Sequence, residues 1–250
     1  MKALITGASS GIGADMARIL SKQGYDLILV ARRKDKLEKL KEELKTDVQI
    51  ISMDISTTFN SIKLYNKVKK ENIDILINNA GFGVFGPFNE TDLDKELDMI
   101  DLNIKTVHTL TKLFLKDFSK KDKGYILNVA SSAAFQPGPL MATYYATKAY
   151  VLYLTEAIYE ELRRNKSNVY IGALCPGPVD TEFNDVANVN FSVKSMKSYD
   201  VAKYAITQMF KRKLVIVPSF MMKLTRFFSI LAPTKLKLMV TYNIQKSKQK

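Results

Sequence analysis

Short apolar runs alternate with longer stretches of helical periodicity along most of this chain. The runs are residues 2–6, 25–30, 49–53, 73–77, 125–129, 169–174 and 214–217. Between them, Met16, Ile19 and Leu20 lead a helix towards Gly24, and Leu37, Leu40 and Leu44 share one face of 34–45. Residues 59–70, 92–118 and 143–164 read as further helices. Strands joined by helices of this length lie side by side in parallel, so the pattern predicts α/β architecture, a doubly wound seven-stranded parallel sheet covered by helices. No internal repeat or linker divides the chain. The expected organisation is one domain over residues 1–218 with a basic amphipathic extension over 219–250.

In such sheets ligands bind beyond the carboxyl ends of the strands. The first strand ends on Gly7-Ala8-Ser9-Ser10-Gly11-Ile12-Gly13. A glycine turn between strand and helix lets the backbone approach a pyrophosphate, which then rests on the positive helix end. The spacing, Gly-x-x-x-Gly-x-Gly, is one residue longer than the usual dinucleotide fingerprint of a Rossmann-type fold. The second strand ends on Ala31 and then Arg32-Arg33. An acidic residue there would accept the adenosine ribose hydroxyls and repel a 2′-phosphate, whereas guanidinium groups pair with phosphate. The cofactor expected is therefore NADP(H) rather than NAD(H), although two arginines also suit the start of a basic surface helix. Asp54, Asn78 to Gly81, Ser131 and Pro176-Gly177 fall at the remaining strand ends.

One histidine and one cysteine leave little room for a zinc site or a Ser-His-Asp triad, and no metal is expected. His108 reads as a surface or packing residue, and Cys175 as a strand-end packing residue with no base beside it. The lone cysteine rules out an internal disulfide and is compatible with a reducing cytosol. Proton-transfer chemistry points instead to Tyr144 and Lys148, which lie one turn apart on one face if 143–164 is helical. A phenol with a reference pKa near ~10 is a usable acid, and an adjacent ammonium favours its phenolate.

These motifs, in this order, resemble the classical short-chain dehydrogenase/reductase family. The resemblance rests on Thr6 to Gly13, Asp54, Asn78-Asn79-Ala80-Gly81, Asn103, Ser131, Tyr144-x-x-x-Lys148, and Pro176-Gly177 with Thr181, and spans residues 6–181. It implies a hydride transfer between a nicotinamide cofactor and a secondary alcohol or its ketone or aldehyde, with Tyr144 as acid or base. Lys148 would lower the pKa of Tyr144 and hold the nicotinamide ribose, Ser131 would bond the substrate oxygen, and Asn103 would hold a water for proton relay. Gly7, Ser9, Gly11, Ile12 and Gly13 would cradle the pyrophosphate, and Arg32 and Arg33 would select the phosphate. Asp54 and Ile55 would frame the adenine, with Asn79, Ala80 and Gly81 behind the cofactor. Pro176, Gly177, Val179 and Thr181 would position the nicotinamide. Only its thirteen-residue offset from Tyr144 favours Ser131 over Ser132, and Tyr145 is expected to face elsewhere and pack.

Residues 182–198, with Phe183, Val186, Val189 and Phe191, suit either an apolar wall of the substrate pocket or a short helix packed on the sheet. The charge is concentrated at the end of the chain. Eleven of the 38 basic residues follow Asp200, the last acidic residue, which leaves 27 against 25 acidic ones before it. Phe220, Leu224, Phe227, Phe228 and Leu231 share one helical face, with Lys223 and Arg226 on another, and Lys235 and Lys237 flank Leu236, Leu238 and Met239 beyond Pro233. Such a tail fits an anionic lipid surface, packing over the substrate mouth, or a second subunit, and Lys223 and Arg226 interrupt any membrane span. Nucleic acid is not expected, because no basic strand face carries stacking aromatics. The N-terminus shows no signal-peptide pattern, so a cytoplasmic protein, peripheral at the inner membrane surface if the tail binds lipid, is expected. Homo-oligomers would pair through 92–118 and 143–164, as the resemblance implies. A cofactor-binding regulator or scaffold without turnover is the competing reading, and the full Asn103, Ser131, Tyr144, Lys148 set argues against it.

Overall fold

The strands that the apolar runs predict line up in one sheet. The structure, a computed structural model, describes residues 1–183 and 195–247. Its sheet has seven parallel strands in the order β3-β2-β1-β4-β5-β6-β9. These are β1 (Lys2–Thr6), β2 (Asp26–Ala31), β3 (Val48–Ser52), β4 (Ile73–Asn78), β5 (Gly124–Val129), β6 (Val169–Leu174) and β9 (Val215–Ile216). The strands are predominantly apolar because both faces of the sheet are covered. Ala3, Ile5, Leu27, Leu29, Ile75 and Ile77 face α1 (Gly11–Lys22), α2 (Lys34–Glu43) and α7 (Ser198–Phe210). Leu4, Ile28, Val30, Leu76, Ile126 and Ile171 face α3 (Thr58–Val68), α5 (Val107–Lys121) and α6 (Ala142–Arg164). The strand order reverses between β1 and β4, and this switch opens the crevice in which doubly wound sheets bind ligands.

Two features depart from the sequence pattern, and the tail follows it. The stretch read as one helix over 92–118 is α4 (Leu93–Ile100), a π-helical turn (Asp101–Thr106) and α5. Its side chains fit a helix of either pitch, so apolar periodicity does not reveal the wider turn. A two-residue parallel ladder joins β7 (Val179–Asp180) to β8 (Met196–Lys197) outside the main sheet. Val186, Val189 and Phe191, read above as a pocket wall or a packing helix, lie outside the described residues. Finally, the tail folds as α8 (Phe220–Leu231) and α9 (Thr234–Lys246), parted at Pro233 as the sequence suggests.

A buried polar cluster fixes α5 and α6 on the sheet. Asn78 donates to Asn128 at 2.9 Å and to Thr111 at 3.1 Å, while Asn128 donates to Thr155 at 3.0 Å. These groups link β4 and β5 to both helices. A lost member would leave its partners unpaired, at about 1–3 kcal/mol each, so the cluster sets where α6 delivers its side chains.

Candidate active site

The turn after β1 is built by close backbone approach. Gly7 sits at φ +64°, and a Cβ there would fall 2.8 Å from the Cα of Ala80. A Cβ on Gly13 would fall 2.5 Å from the carbonyl of Gly7. Asn79 closes the turn from behind, its amide donating to the carbonyls of Thr6 (3.0 Å) and Gly7 (3.1 Å). The Thr6 hydroxyl accepts from the backbone N–H of Asn79 and of Ala80. Ser10 makes no side-chain cap on α1, and the first turn holds no acidic residue. The positive end of α1 therefore opens onto the crevice without a counter-charge of its own.

The two arginines after β2 differ. Arg33 donates to the hydroxyls of Ser9 and Ser10, each at 3.0 Å, and pairs with Glu182 at 2.7 Å. Lys36 joins the same carboxylate. Held by these cations, first by its bond to Lys36, Glu182 has its pKa lowered to about 2 and is charged at every working pH. Arg32 is exposed, and its guanidinium has no hydrogen bond or ion pair among the described residues. At the end of β3, Asp54 accepts the Ser56 N–H at 2.9 Å, and Ile55 is buried with its carbonyl bonded to Ser61 and Thr106.

Tyr144 and Lys148 emerge from α6 on one face, next to the ends of β4 and β5. Tyr144 sits among Met99, Met141, Phe82 and Phe183. Burial pushes its phenol up to about 12, against a hydrogen bond from the Ser131 side chain. Ser131 accepts the N–H of Ala133 at 3.1 Å, which leaves its own proton free to donate towards Tyr144 or towards a ligand oxygen. Lys148 is buried and donates to the carbonyl of Val129 at 2.9 Å; burial lowers its ammonium to about 8. Its Nζ lies 5.8 Å from the Tyr144 ring centroid. In the chain by itself, then, desolvation governs both groups, and the ammonium does not draw the phenol down.

Asn103 lies in the π-helical turn and is fully buried, with 0% exposure. Its Nδ2 donates to the Phe82 carbonyl (2.9 Å) and Thr147 (3.1 Å), and its Oδ1 accepts the Phe82 N–H at 3.2 Å. Gly81 separates it from Lys148: a Cβ there would meet Asn103 Oδ1 at 2.8 Å and Lys148 Nζ at 3.3 Å. Gly81→Ala should therefore cost about 1–3 kcal/mol of stability through overpacking, read as a lower urea midpoint. An unchanged midpoint would mean that Asn103 and Lys148 yield without strain.

One cleft of about 520 Å³ joins these groups. Gly7, Ser9, Gly11, Ile12, Arg32, Arg33, Asp54 and Ile55 line its outer part. Asn79, Ala80, Gly81, Ser131, Tyr144, Lys148, Pro176, Gly177, Val179 and Thr181 line the rest. Of the residues singled out from sequence, Gly13 and Asn103 do not line it; they pack immediately behind it.

The sequence reading missed part of the wall. Tyr145, expected to pack elsewhere, lines the cleft and is hydrogen-bonded by Gln245 of α9. Gln245 is 1% exposed, and its Oε1 has no hydrogen-bond partner among the described residues. Met222 and Thr225 of α8 complete that side, and Glu182 stands at the arginine end. Ser132 lines the cleft as well, but Tyr144 bonds Ser131. Cys175 is buried, which pushes its thiol up to about 12, and His108 meets the surface Tyr150 at 2.7 Å.

The sequence model described as short chain dehydrogenase matches residues 1–190. This chain belongs to the short-chain dehydrogenase/reductase family. Like other members of that family, it is an oxidoreductase of Rossmann-type fold. It is 33% identical over 211 residues to an uncharacterized oxidoreductase of Staphylococcus epidermidis, covering 82% of this chain and 90% of that one. It is 31% identical over 205 residues to the very-long-chain 3-oxoacyl-CoA reductase of Homo sapiens, covering 79% of this chain and 65% of the human protein. Among solved structures, a short-chain dehydrogenase from Sphingobium yanoikuyae in complex with NADPH superposes with a TM-score of 0.82 at 31% identity, covering 88% of each chain.

Proposed function

We propose that this short-chain dehydrogenase/reductase uses NADP(H) to interconvert a secondary alcohol and its ketone or aldehyde, on an apolar substrate. The observation that carries the reading is one continuous cleft with the Ser131–Tyr144 pair at one end and Arg32, unpaired among the described residues, at the other. Gly7 and Gly11 line the turn where a pyrophosphate needs the backbone, and Gly13 lets that turn close behind them, so the cradle fits a nicotinamide dinucleotide. That cofactor supplies or takes the hydride when bound. The NADPH complex of the Sphingobium relative supports the choice of cofactor.

The residues of the chain handle the substrate oxygen and its proton. Tyr144, with its phenol near 12, holds a proton throughout the neutral range and donates it to a carbonyl oxygen as reduction proceeds. Ser131 donates a hydrogen bond to the same oxygen and steadies the charge that develops there. Lys148 binds the nicotinamide ribose hydroxyls and, once held there, favours the phenolate that Tyr144 becomes. Asn103 orders the proton path beside Lys148, a role supported by its placement across Gly81. Asp54, Ile55 and Asn79 to Gly81 hold the adenine and the cofactor's rear face, and Pro176 to Thr181 hold the nicotinamide.

Phe82, Met141, Phe183 and Met222 make the substrate end apolar, which suits a lipophilic ketone. The 3-oxoacyl-CoA substrate class named for the human relative is consistent with that character. Pairing of two copies across α5 and α6, where Tyr150 and Tyr153 remain exposed, belongs to the same reading.

Titration with NADPH and with NADH, followed by nicotinamide fluorescence, tests it. The expected outcome is NADPH binding at least about tenfold tighter, a difference of ~1.4 kcal/mol. Binding of neither dinucleotide would sink the enzyme reading.

A further inference from the structure

The two C-terminal helices are amphipathic in the reverse sense. On α8 the large apolar residues Phe220, Met221, Leu224, Phe227, Phe228 and Leu231 follow a helical stripe, and all are exposed, Phe220 by 72% and Leu231 by 68%. Its protein-facing side holds Met222, the buried Ser229, and Arg226, whose guanidinium bonds Glu156 at 3.4 Å and lies over the Phe135 ring. On α9 the buried residues are Thr241 and Gln245, bonded to Gln136 and Tyr145. Leu236, Met239, Val240 and Ile244 are exposed. A helix on a water-soluble surface turns its apolar stripe to the core. Two successive helices that do the opposite leave their large apolar side chains exposed, which calls for an apolar medium outside.

Charge decides what that medium is. No acidic residue follows Asp200, while Lys235 and Lys246 stand exposed on α9, Lys223 is exposed on α8 with its ammonium beside Tyr204, and Lys237 is half-buried. A second copy seated face to face through a two-fold axis would oppose these lysines with a patch that holds no acidic residue to pair them. An anionic lipid surface pairs with the exposed lysines and accepts the phenylalanines below its headgroups. Among the described residues no helix is long and apolar enough to cross a membrane, so the helices would lie in the interface.

We propose that the outward faces of α8 and α9 dock this protein on an anionic bilayer. Met222, Thr225, Ile244 and Gln245 of the same helices line the cleft wall, and Thr225 and Ile244 are exposed as well, so docking sets the mouth of the cleft against lipid. If the activity proposed above holds, a lipophilic carbonyl substrate enters from the bilayer and need not cross water.

Co-flotation of the full chain with vesicles tests the docking without any assay of turnover. Vesicles of equal parts phosphatidylcholine and phosphatidylglycerol should carry at least about tenfold more protein than phosphatidylcholine alone. The double variant F227S/F228S should lose most of that binding, while its NADPH titration and thermal midpoint stay those of the parent, because both side chains are exposed. Binding that survives the double substitution but vanishes in high salt would overturn the proposal in favour of simple charge adsorption. Absence of vesicle binding, with the variant converting a dimer to a monomer in light scattering, would overturn it in favour of a second copy. Vesicle binding by a protein that binds no dinucleotide would leave the docking standing and sink the cofactor reading alone.

Discussion

Tyr144→Phe is expected to lower turnover by about 10²–10⁴-fold, the range that a positioned general acid contributes, while leaving the NADPH dissociation constant nearly unchanged. The substitution removes one oxygen from a ring held between Phe183, at 5.4 Å between centroids, and Tyr145, at 6.2 Å. No cavity forms, so loss of activity would report on the proton and not on the fold. The pH dependence gives the same role an independent reading. With its pKa raised to about 12 by burial, Tyr144 is protonated across the neutral range, so carbonyl reduction should not require alkali. The reverse oxidation needs the phenolate and should accelerate as pH rises. Lys148, lowered to about 8, loses its charge over the same alkaline range and will blunt that rise. Steady-state rates in both directions for the parent and variant would check this. Substantial reduction by Tyr144→Phe would move the acid to Tyr145, whose hydroxyl lines the same cleft.

The sheet was legible because its strands are buried on both faces. Residues 2–6 and 73–77 are apolar almost without interruption, and only a covered parallel strand tolerates that. The π-helical turn was not legible: Asn103 and Thr106 occupy positions that an ordinary helix would also permit, and the change of pitch follows from tertiary bonds to Phe82 and Ile55. Strand-end logic brought Gly7, Arg32, Asp54, Asn79, Ser131 and Pro176 to one cleft, since a chain that ends seven strands at one edge must gather their last residues there. It failed for residues distant in sequence. Glu182 was passed over because an acidic residue after the sixth strand carries no signal of the arginines it meets. Gln245 and Tyr145 were missed for a subtler reason. Apolar periodicity on a tail helix identifies two faces without saying which is inward, and here Thr241 and Gln245 face the protein. The effect of Lys148 was also read from spacing alone, whereas burial controls the protonation of both side chains before anything is bound.

The second large effect is expected at the arginines. A guanidinium bonded to a phosphate contributes ~1.5–3 kcal/mol, so Arg32→Ala should weaken NADPH by about 10–100-fold while changing NADH by no more than about twofold. Arg32 is the cleaner test because its guanidinium bonds nothing else among the described residues. Arg33 also holds Ser9, Ser10 and Glu182, so its removal would disturb the glycine turn as well. Equal losses for both cofactors in Arg32→Ala would take that residue out of cofactor selection. Glu182 supplies the opposite sign. Its carboxylate occupies Arg33 and Lys36 as an incoming phosphate would, and with a pKa near 2 it does not titrate away in any assay buffer. Glu182→Gln should free both cations and tighten NADPH several-fold with little change for NADH. If Glu182→Gln instead weakens NADPH, the carboxylate serves to position Arg33 and does not compete for it, and the selection at this end of the cleft rests on Arg32.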